Sequence, residues 1–411
     1  MDEKESAMTT EMALEGVRVL DLTHHYSGPF CTKLLADYGA DVIKVEKPGT
    51  GDPTRSIGPF LDDDPHPEKS GLFFHLNTNK RSITLNLKSE GGKRIFKDLV
   101  ATADVVVESF RPHVMAGLGL GYDELKTIRP NLVMTSISSF GQTGPYAEFK
   151  ATELIIYGMG GAMYNAGVPD REPVSYGIPT AVFQGGGAAA AGTMGALYGA
   201  TFNDVGQHVD VSIMETLLGS VDRRIAALLS YEYSGEVGGR ESMGGGFATG
   251  YFPCQDGYFV MAGSGNIMFP RLVKMMGDPE PLQDPAFLTP AGASDPDLRD
   301  LFEAVLIGWS MDHTKQEIIQ LGEENGLICA AVNDMEGVFN DRHLNERGVF
   351  TDIDHPVMGS IRSLGRPFVM EQTPWKLRRP APLIGQHNVE ILKDLGHTSE
   401  AIVQFKQNGV I

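Results

Sequence analysis

The sequence predicts an α/β fold: a Rossmann-like, doubly wound parallel sheet with a second, smaller α+β domain. Through about residue 220, short apolar runs typical of buried strands alternate with helical patterns, as in parallel sheets that carry helices on both faces. Beyond that point two strand-like runs are joined by the turn residues Gln255, Asp256 and Gly257, which predicts an antiparallel hairpin.

The elements nearest the N-terminus are the most clearly marked. Residues 17–22 form a short apolar strand, Pro29 suits the first turn of a helix that ends at Gly39, and residues 41–46 form a second strand. This strand–helix–strand order predicts two parallel strands. The same alternation predicts a strand over 82–87, a helix over 89–102, strands over 104–108, 131–136 and 206–213, and a helix from about residue 215.

The later part of the chain predicts the domain division. Helical patterns follow the hairpin over residues 266–276, 296–309 and 313–325, and a further hairpin and a final helix lie in the tail. We therefore expect a large Rossmann-like domain over residues 1–225, a small α+β domain over 226–335 and a C-terminal return to the large domain over 336–411.

Composition excludes several function classes. The chain has 53 acidic and 34 basic residues, a net charge of −19, which argues against nucleic acid or an anionic membrane as its partner. Three widely separated cysteines predict no disulfide framework and favour a reducing cytoplasm. No basic region followed by an apolar stretch marks a signal peptide near the N-terminus. His24 and His25 lack the spaced partners of a metal site.

The stretch 177–200, GIPTAVFQGGGAAAAGTMGALYGA, is rich in small apolar residues and has no charge. It predicts a buried helix that packs closely through its small residues rather than a membrane span, because Gln184 interrupts it and few large aliphatic residues are present.

Several polar residues follow predicted strands, where ligands of open α/β sheets bind. His24, His25, Tyr26 and Ser27 follow the first strand and precede a helix N-terminus, which favours anions. Cations and amides near other strand ends suggest a phosphorylated ligand; they are Lys47, Arg55, Asn77, Asn79, Lys80 and Arg81. Gly244, Gly245 and Gly246 predict either a flexible linker or a mobile lid.

These motifs resemble the class III CoA-transferases. The resemblance covers about residues 14–396 and is carried by the segments LEGVRVLDLTHHYSGPFCTKLLADYGADVIKVEKPGTGD, NKRSITLNLKSEGGKRIFKDLVATADVVVESFRP, GQHVDVSIMETLL and APLIGQHNVEIL. It implies two subunits interlocked like chain links, with CoA at their interface as a thioester substrate and with no tightly bound cofactor. The CoA-binding residues that it implies are His24, His25, Tyr26, Ser27, Lys47, Asn77, Lys80, Ser109 and Phe110.

In that family an Asp attacks the acyl-CoA thioester, and a Gly-rich loop, here at 243–247, shields the anhydride that forms. The Asp occupies the last position of a G-x-P-x-x-D pattern. This chain has Gly177 and Pro179 in place but Val182 at that last position, so the nucleophile is missing. Asp170 and Glu172 are weak substitutes in a predicted exposed turn, and Glu153 is the best substitute.

Two further departures bear on activity. The related α-methylacyl-CoA racemases use a His and an Asp as bases, and this chain has Thr152 and Val182 there, which argues against racemisation. The transferases often carry an Arg near the CoA phosphates where this chain has Gly117, which weakens the case for tight CoA binding.

The sequence therefore predicts a catalytically silent subunit of a two-subunit CoA-transferase. The partner would be a related chain that carries the Asp, in an interlocked heterodimer or heterotetramer. Two alternatives remain open: an active homodimer that uses another carboxylate such as Glu153, and a non-catalytic protein that binds CoA or acyl-CoA.

Overall fold

The structure, a computed structural model, describes residues 12–168, 170–219, 224–237, 240, 247–263, 265 and 267–411. The chain divides into two compact units, residues 1–240 with 348–411 and residues 241–347. The sequence predicts a small domain over residues 226–335, and these domain bounds stay a prediction.

The first unit contains a six-stranded sheet. Its strands are β1 (Arg18–Leu22), β2 (Asp41–Glu46), β3 (Arg81–Thr84), β4 (Val105–Glu108), β5 (Val133–Ser138) and β6 (Gln207–Ser212). They lie in the order β3-β2-β1-β4-β5-β6, and all neighbours pair in parallel. This arrangement confirms the predicted parallel α/β sheet.

Helices connect these strands and cover both faces of the sheet. They are α1 (Ser27–Asp37), α2 (Gly71–Leu76), α3 (Glu90–Val100), α4 (Val114–Gly117), α5 (Tyr122–Leu125), α6 (Glu153–Met159), α7 (Ala181–Asn203), α8 (Ile213–Gly219) and α9 (Arg224–Ser234). Because strand side chains alternate between faces, the sheet separates two apolar clusters. Val19 and Val105 pack towards α1 and α7, whereas Leu20 and Val106 pack towards α3.

The C-terminal segment belongs to the same unit. It contains the antiparallel pair β10 (Phe350–His355) and β11 (Gly359–Leu364) and the helices α16 (Asn388–Asp394) and α17 (Ser399–Gln407). Near α16, His387 Nδ1 accepts the backbone N–H of Ser82 at 3.0 Å and Asn388 Oδ1 accepts that of Thr84 at 2.8 Å. These bonds satisfy donors on the outer edge of β3, which would otherwise be unpaired.

The second unit is a smaller α+β body. Its antiparallel sheet is β7 (Thr249–Cys254), β8 (Gly257–Ala262) and β9 (Ile328–Ala331). Its helices are α10 (Met268–Met275), α11 (Pro290–Ala293), α12 (Pro296–Ser310), α13 (Lys315–Glu324), α14 (Met335–Asn340) and α15 (Arg342–Glu346). The hairpin predicted around Gln255 and Asp256 is confirmed as β7–β8, and Phe259, Phe302 and Phe247 lie in the apolar core beneath it.

Candidate functional site

A cavity of about 470 Å³ lies at the carboxyl ends of the central strands of the first unit. The segment after β1 contributes His24 to Ser27, the segment after β4 contributes Ser109 and Phe110, and β5 ends at the cavity with Ser138. Ligands of open parallel sheets bind at this edge. The cavity therefore lies where the strand order predicts a ligand site.

One wall of the cavity is held together by His24. Its backbone N–H donates to Ser109 Oγ at 2.9 Å, and its ring meets the ring of Phe110 edge to face, with centroids 5.4 Å apart. Burial, assisted by the nearby Lys44 ammonium, lowers the pKa of the imidazole. His24 is therefore a neutral hydrogen-bonding group near pH 7 rather than a cation.

A network of buried charges supports this wall from below. Lys80 Nζ lies 3.0 Å from Asp21 Oδ2, and Lys44 Nζ lies 2.8 Å from Asp52 Oδ2, with all four side chains inaccessible to solvent. Lys44 also donates to the carbonyl of Thr23 at 3.0 Å. Burial lowers the pKa of Lys80 to about 8, whereas Lys44 and Lys80 outweigh burial and hold the pKa of Asp21 far below its usual range. The network fixes the end of β1 that carries His24.

The opposite wall is the start of the long helix α7. Val182 is its second residue, lines the cavity and is half-buried against the apolar cluster beneath. Glu153 Oε1 accepts the backbone N–H of Ala181 at 2.7 Å, and its Oε2 accepts that of Val182 at 3.1 Å. The carboxylate thus satisfies two N–H groups that a helix start leaves without intrahelical partners.

Close packing of α7 on α1 brings the two walls together. A Cβ on Gly186 would collide with the carbonyl oxygen of Ser27, so only glycine permits this approach. Phe183 contacts Tyr26 edge to face, with ring centroids 5.9 Å apart. The small residues of the 177–200 stretch therefore place Val182 beside the segment after β1.

The structure brings together some of the residues predicted to bind CoA and separates others. His24, His25, Tyr26, Ser27, Ser109 and Phe110 all line the cavity. Lys47 is exposed and does not line it. Asn77 and Lys80 are completely buried, and Lys80 Nζ donates to Asn77 Oδ1 at 3.0 Å. Their contacts are structural within this chain, and their roles towards CoA stay predictions.

The remaining predicted positions lie away from the cavity or outside the described residues. Asp170 and Glu172 are exposed and do not line the cavity. Gly117 is also exposed, and a Cβ built on it would have no neighbour within 4 Å. Gly244, Gly245 and Gly246 lie outside the described residues.

Two cations in the cavity lining were missed by the sequence analysis. Arg111 and Lys150 are both exposed at the cavity and provide positive charge for an anionic ligand in an acidic chain. Arg111 directly follows the predicted pair Ser109 and Phe110 and was recognisable from that position. Lys150 lies in an irregular segment that has no pattern to mark it.

The lining contains two carboxylates, and both have partners. Glu153 accepts the two helix N–H groups, and exposed Glu148 lies 3.4 Å from His113 Nε2. The cavity thus combines neutral His24, hydroxyl groups and peripheral cations, which suit an anionic ligand. Its carboxylates are engaged in contacts within the chain.

Over the described residues, no group of three or more His, Cys, Asp and Glu side chains is arranged to hold a metal ion. Among the same residues, no helix has both the length and the apolar character that crossing a membrane requires.

Comparison with known proteins gives a consistent result. The model of CoA-transferase family III matches residues 14–388. A succinate–glutarate CoA-transferase of Agrobacterium fabrum is 32% identical over 93% of this chain and 95% of its own length. A succinyl-CoA–D-citramalate CoA-transferase of Chloroflexus aurantiacus is 34% identical over 97% and 98%. The crystal structure of a CAIB/BAIF family protein from Brucella suis superposes with a TM-score of 0.84 at 31% identity, covering 94% of this chain and 100% of that one.

Proposed function

The chain belongs to CoA-transferase family III, and from this premise we propose that it is the catalytically silent subunit of a heteromeric CoA-transferase. A related chain supplies the nucleophilic Asp in an interlocked heterodimer or heterotetramer, and the complex transfers CoA from succinyl-CoA to an organic acid. This chain contributes the ligand-binding wall and the scaffold.

The observation that carries the proposal is Val182. Its side chain lines the cavity at the start of α7, where the family resemblance expects the attacking carboxylate. An isopropyl group has no lone pair with which to attack a thioester, so acyl transfer through an enzyme-bound anhydride cannot begin at this position.

The contacts of Glu153 support the same conclusion. Both of its oxygens accept backbone N–H groups of α7, and hydrogen bonds to a carboxylate stabilise its charged form. If one oxygen bonded to the acyl carbon, it would become a weaker acceptor, and its hydrogen bond to the helix start would weaken. These bonds favour a structural role for Glu153 over nucleophilic catalysis.

The binding wall gives a reason for retaining a silent chain. His24, Ser109 and Phe110 form one connected surface with Arg111 beside it. We propose that this surface holds the anionic part of CoA, and that interlocking makes the chain necessary for folding of its partner.

The names of the relatives indicate which acceptor acids to test. Succinate, glutarate and citramalate appear in the names of the relatives from Agrobacterium and Chloroflexus, and all three are dicarboxylates. The missing nucleophile makes the chain resemble the non-nucleophilic subunit of succinyl-CoA:(R)-benzylsuccinate CoA-transferase, an enzyme of anaerobic toluene degradation. We therefore propose (R)-benzylsuccinate as the acceptor to test first.

The test compares the chain alone with the chain co-expressed with an Asp-bearing paralogue. CoA exchange between succinyl-CoA and (R)-benzylsuccinate, followed by chromatography of the CoA esters, should occur only with the paralogue present. A paralogue whose Asp is replaced by Asn is the matched control and should abolish exchange.

Each outcome of this assay has a defined meaning. Robust exchange by the chain alone would overturn the silent-subunit proposal. If neither preparation exchanges CoA while this chain still binds it, the result favours a CoA-binding protein instead. If another acid replaces benzylsuccinate in the active complex, only the choice of acceptor fails.

A further inference from the structure

A buried carboxyl lies directly behind the binding wall. Glu108 is the last residue of β4, only 3% exposed, and its Oε2 accepts the backbone N–H of Phe110 at 2.7 Å. Ser109 and Phe110, held in this turn, are the two residues that contact His24. The position of the wall therefore depends on the Glu108 side chain.

Glu108 is also the inner end of a hydrogen-bonded chain that reaches the surface. Ser136 is its register partner on β5, and interaction with the Ser136 hydroxyl lowers the pKa of the Glu108 carboxyl. Ser136 Oγ in turn lies 2.8 Å from Nε2 of His208, an exposed residue of the edge strand β6. These side chains thus lead from the buried carboxyl to an exposed residue of β6.

If Glu108, Ser136 and His208 are all neutral, their hydrogen bonds fix which atom carries each proton. A protonated Glu108 donates to Ser136 Oγ, and the Ser136 hydroxyl donates to an unprotonated Nε2 of His208. Oε2 of Glu108 remains free to accept from Phe110. All bonds of the chain are then satisfied without burying a charge, which would be costly at this depth.

The surroundings favour this neutral arrangement. No Lys or Arg of the described residues forms an ion pair with Glu108. Burial, aided by the charge of Asp210, raises the pKa of Glu108 to about 7 against the lowering effect of its contacts with Ser136 and the Phe110 N–H. Burial lowers the pKa of His208. Other titratable or charged groups line a cavity of about 440 Å³ that Glu108 and His208 share; they are Arg111, His113, Tyr122, Asp123 and Glu124.

We propose that Glu108 is a positioning residue that works in its protonated form, holding the Ser109–Phe110 turn in place for the anionic part of the ligand. The inference rests on the proposed function in that it takes CoA as that ligand. Ionisation of Glu108 would place a poorly screened negative charge behind the wall and repel the phosphates.

The test measures CoA affinity by calorimetry on the full-length protein from about pH 6 to about pH 8.5, on either side of the expected ionisation. The phosphomonoester of CoA titrates near pH 6, so each wild-type value is compared with Glu108→Gln at the same pH. Gln retains an acceptor for Phe110 and a donor for Ser136 and stays neutral.

We expect the wild-type affinity to fall by roughly tenfold relative to Glu108→Gln across this range, which corresponds to one pKa unit of coupling. Glu124→Gln, which changes an exposed carboxylate of the same cavity, should follow the wild type. Glu108→Leu, which has no acceptor for Phe110, should bind weakly at every pH. An equal pH dependence of wild type and Glu108→Gln would overturn the proposal.

A measurement without ligand separates this inference from the proposed function. Infrared difference spectra between acidic and alkaline protein should show a protonated carboxyl that is lost near neutral pH and absent from Glu108→Gln. If that band is present but the protein binds CoA at no pH, the result counts against the proposed function and not against a protonated Glu108. Absence of the band would reject a protonated Glu108 whatever the ligand.

Discussion

Glu153 Oε2 accepts the backbone N–H of Val182 at 3.1 Å, so this carboxylate caps the start of α7, the helix that carries Val182. The second oxygen of Glu153 accepts the N–H of Ala181. A negative charge at a helix start is stabilised by the aligned peptide dipoles as well as by these bonds. The same contacts that make Glu153 useful to the fold make it a poor nucleophile.

Replacement of Glu153 should lower the free energy of unfolding but leave most of the exchange activity intact. Glu153→Ala should lower the free energy of unfolding by about 1 kcal/mol through loss of a helix cap, and Glu153→Gln, which keeps one acceptor, by less. Urea denaturation measures both. In the proposed heteromeric complex, Glu153→Gln should retain most exchange activity; complete loss of activity with a folded complex would contradict a purely structural role for Glu153.

Restoring a carboxylate at position 182 should not restore an enzyme. In Val182→Asp the new carboxylate shares the start of α7 with Glu153, and the two negative charges repel each other. We expect CoA exchange by the lone variant to remain within about tenfold of background, because the donors and acyl pocket around a catalytic carboxylate are not supplied by one substitution. Val182→Asn is the isosteric control, and family-level activity of Val182→Asp alone would show that silence rests on one residue.

The sheet and its order of elements could be predicted because apolar strands alternate regularly with amphipathic helices. The predicted strand over 41–46 agrees with β2, and the helix expected over 89–102 is α3, Glu90–Val100. Short elements were missed: β9 has only four residues, ICAA, with alternating exposure. The helix α17 follows α16 after a short break and was not expected as a separate element.

The site was predictable only in part, for a physical reason. His24 was placed at the edge of the sheet because it follows a strand, and Phe110 was implied by the family resemblance. Lys80, also implied by the resemblance, lies directly before β3, and its ammonium contacts buried Asp21. Whether a cation faces a ligand or an internal carboxylate depends on tertiary contacts that local sequence does not contain. The role of Glu108 depends in the same way on neighbours from β5 and β6.

Replacement of Lys80 should lower the stability of the protein, whereas replacement of Lys47 should affect CoA binding. Lys80→Met removes the buried charged partner 3.0 Å from Asp21 and leaves it only Lys44, at 3.9 Å; it should cost about 3 kcal/mol of unfolding free energy, as breaking a buried pair does. Exposed Lys47→Met should change stability by less than about 0.5 kcal/mol but weaken CoA binding if the family resemblance holds at this position. Denaturation and calorimetry on both variants test this division, and equal destabilisation by the two would contradict it.

An arginine at position 117 should strengthen CoA binding. The site is exposed, and a Cβ there meets no atom within 4 Å, so a longer side chain fits without strain. Gly117 does not line the cavity, and the expectation rests on the family resemblance, which implies an Arg near the CoA phosphates here. On that basis, Gly117→Arg should raise CoA affinity roughly threefold to tenfold at low ionic strength and lose most of that gain at high salt, because the interaction is screened. Gly117→Ala controls for the change in helix propensity; an equal gain from Ala would show that charge is not the cause.

Stability should depend on the ionisation of Glu108 with a definite sign. Burial raises the pKa of this carboxyl from 4.5 to about 7 in the folded state, so between these values the folded protein binds more protons than the unfolded chain. The resulting stabilisation is fully present below the unfolded pKa and is lost as the pH rises through the folded pKa, by about 3 kcal/mol in total. Burial also lowers the pKa of His24, so other groups contribute to the pH dependence, and the difference between wild type and Glu108→Gln is the quantity to measure. In urea denaturation at a series of pH values, the unfolding free energy of the wild type should fall relative to that of Glu108→Gln as the pH rises. The curve for Glu124→Gln should run parallel to that of the wild type. Parallel curves for wild type and Glu108→Gln would mean that Glu108 titrates alike in the folded and unfolded states, and the buried neutral chain through Ser136 to His208 would then have no support.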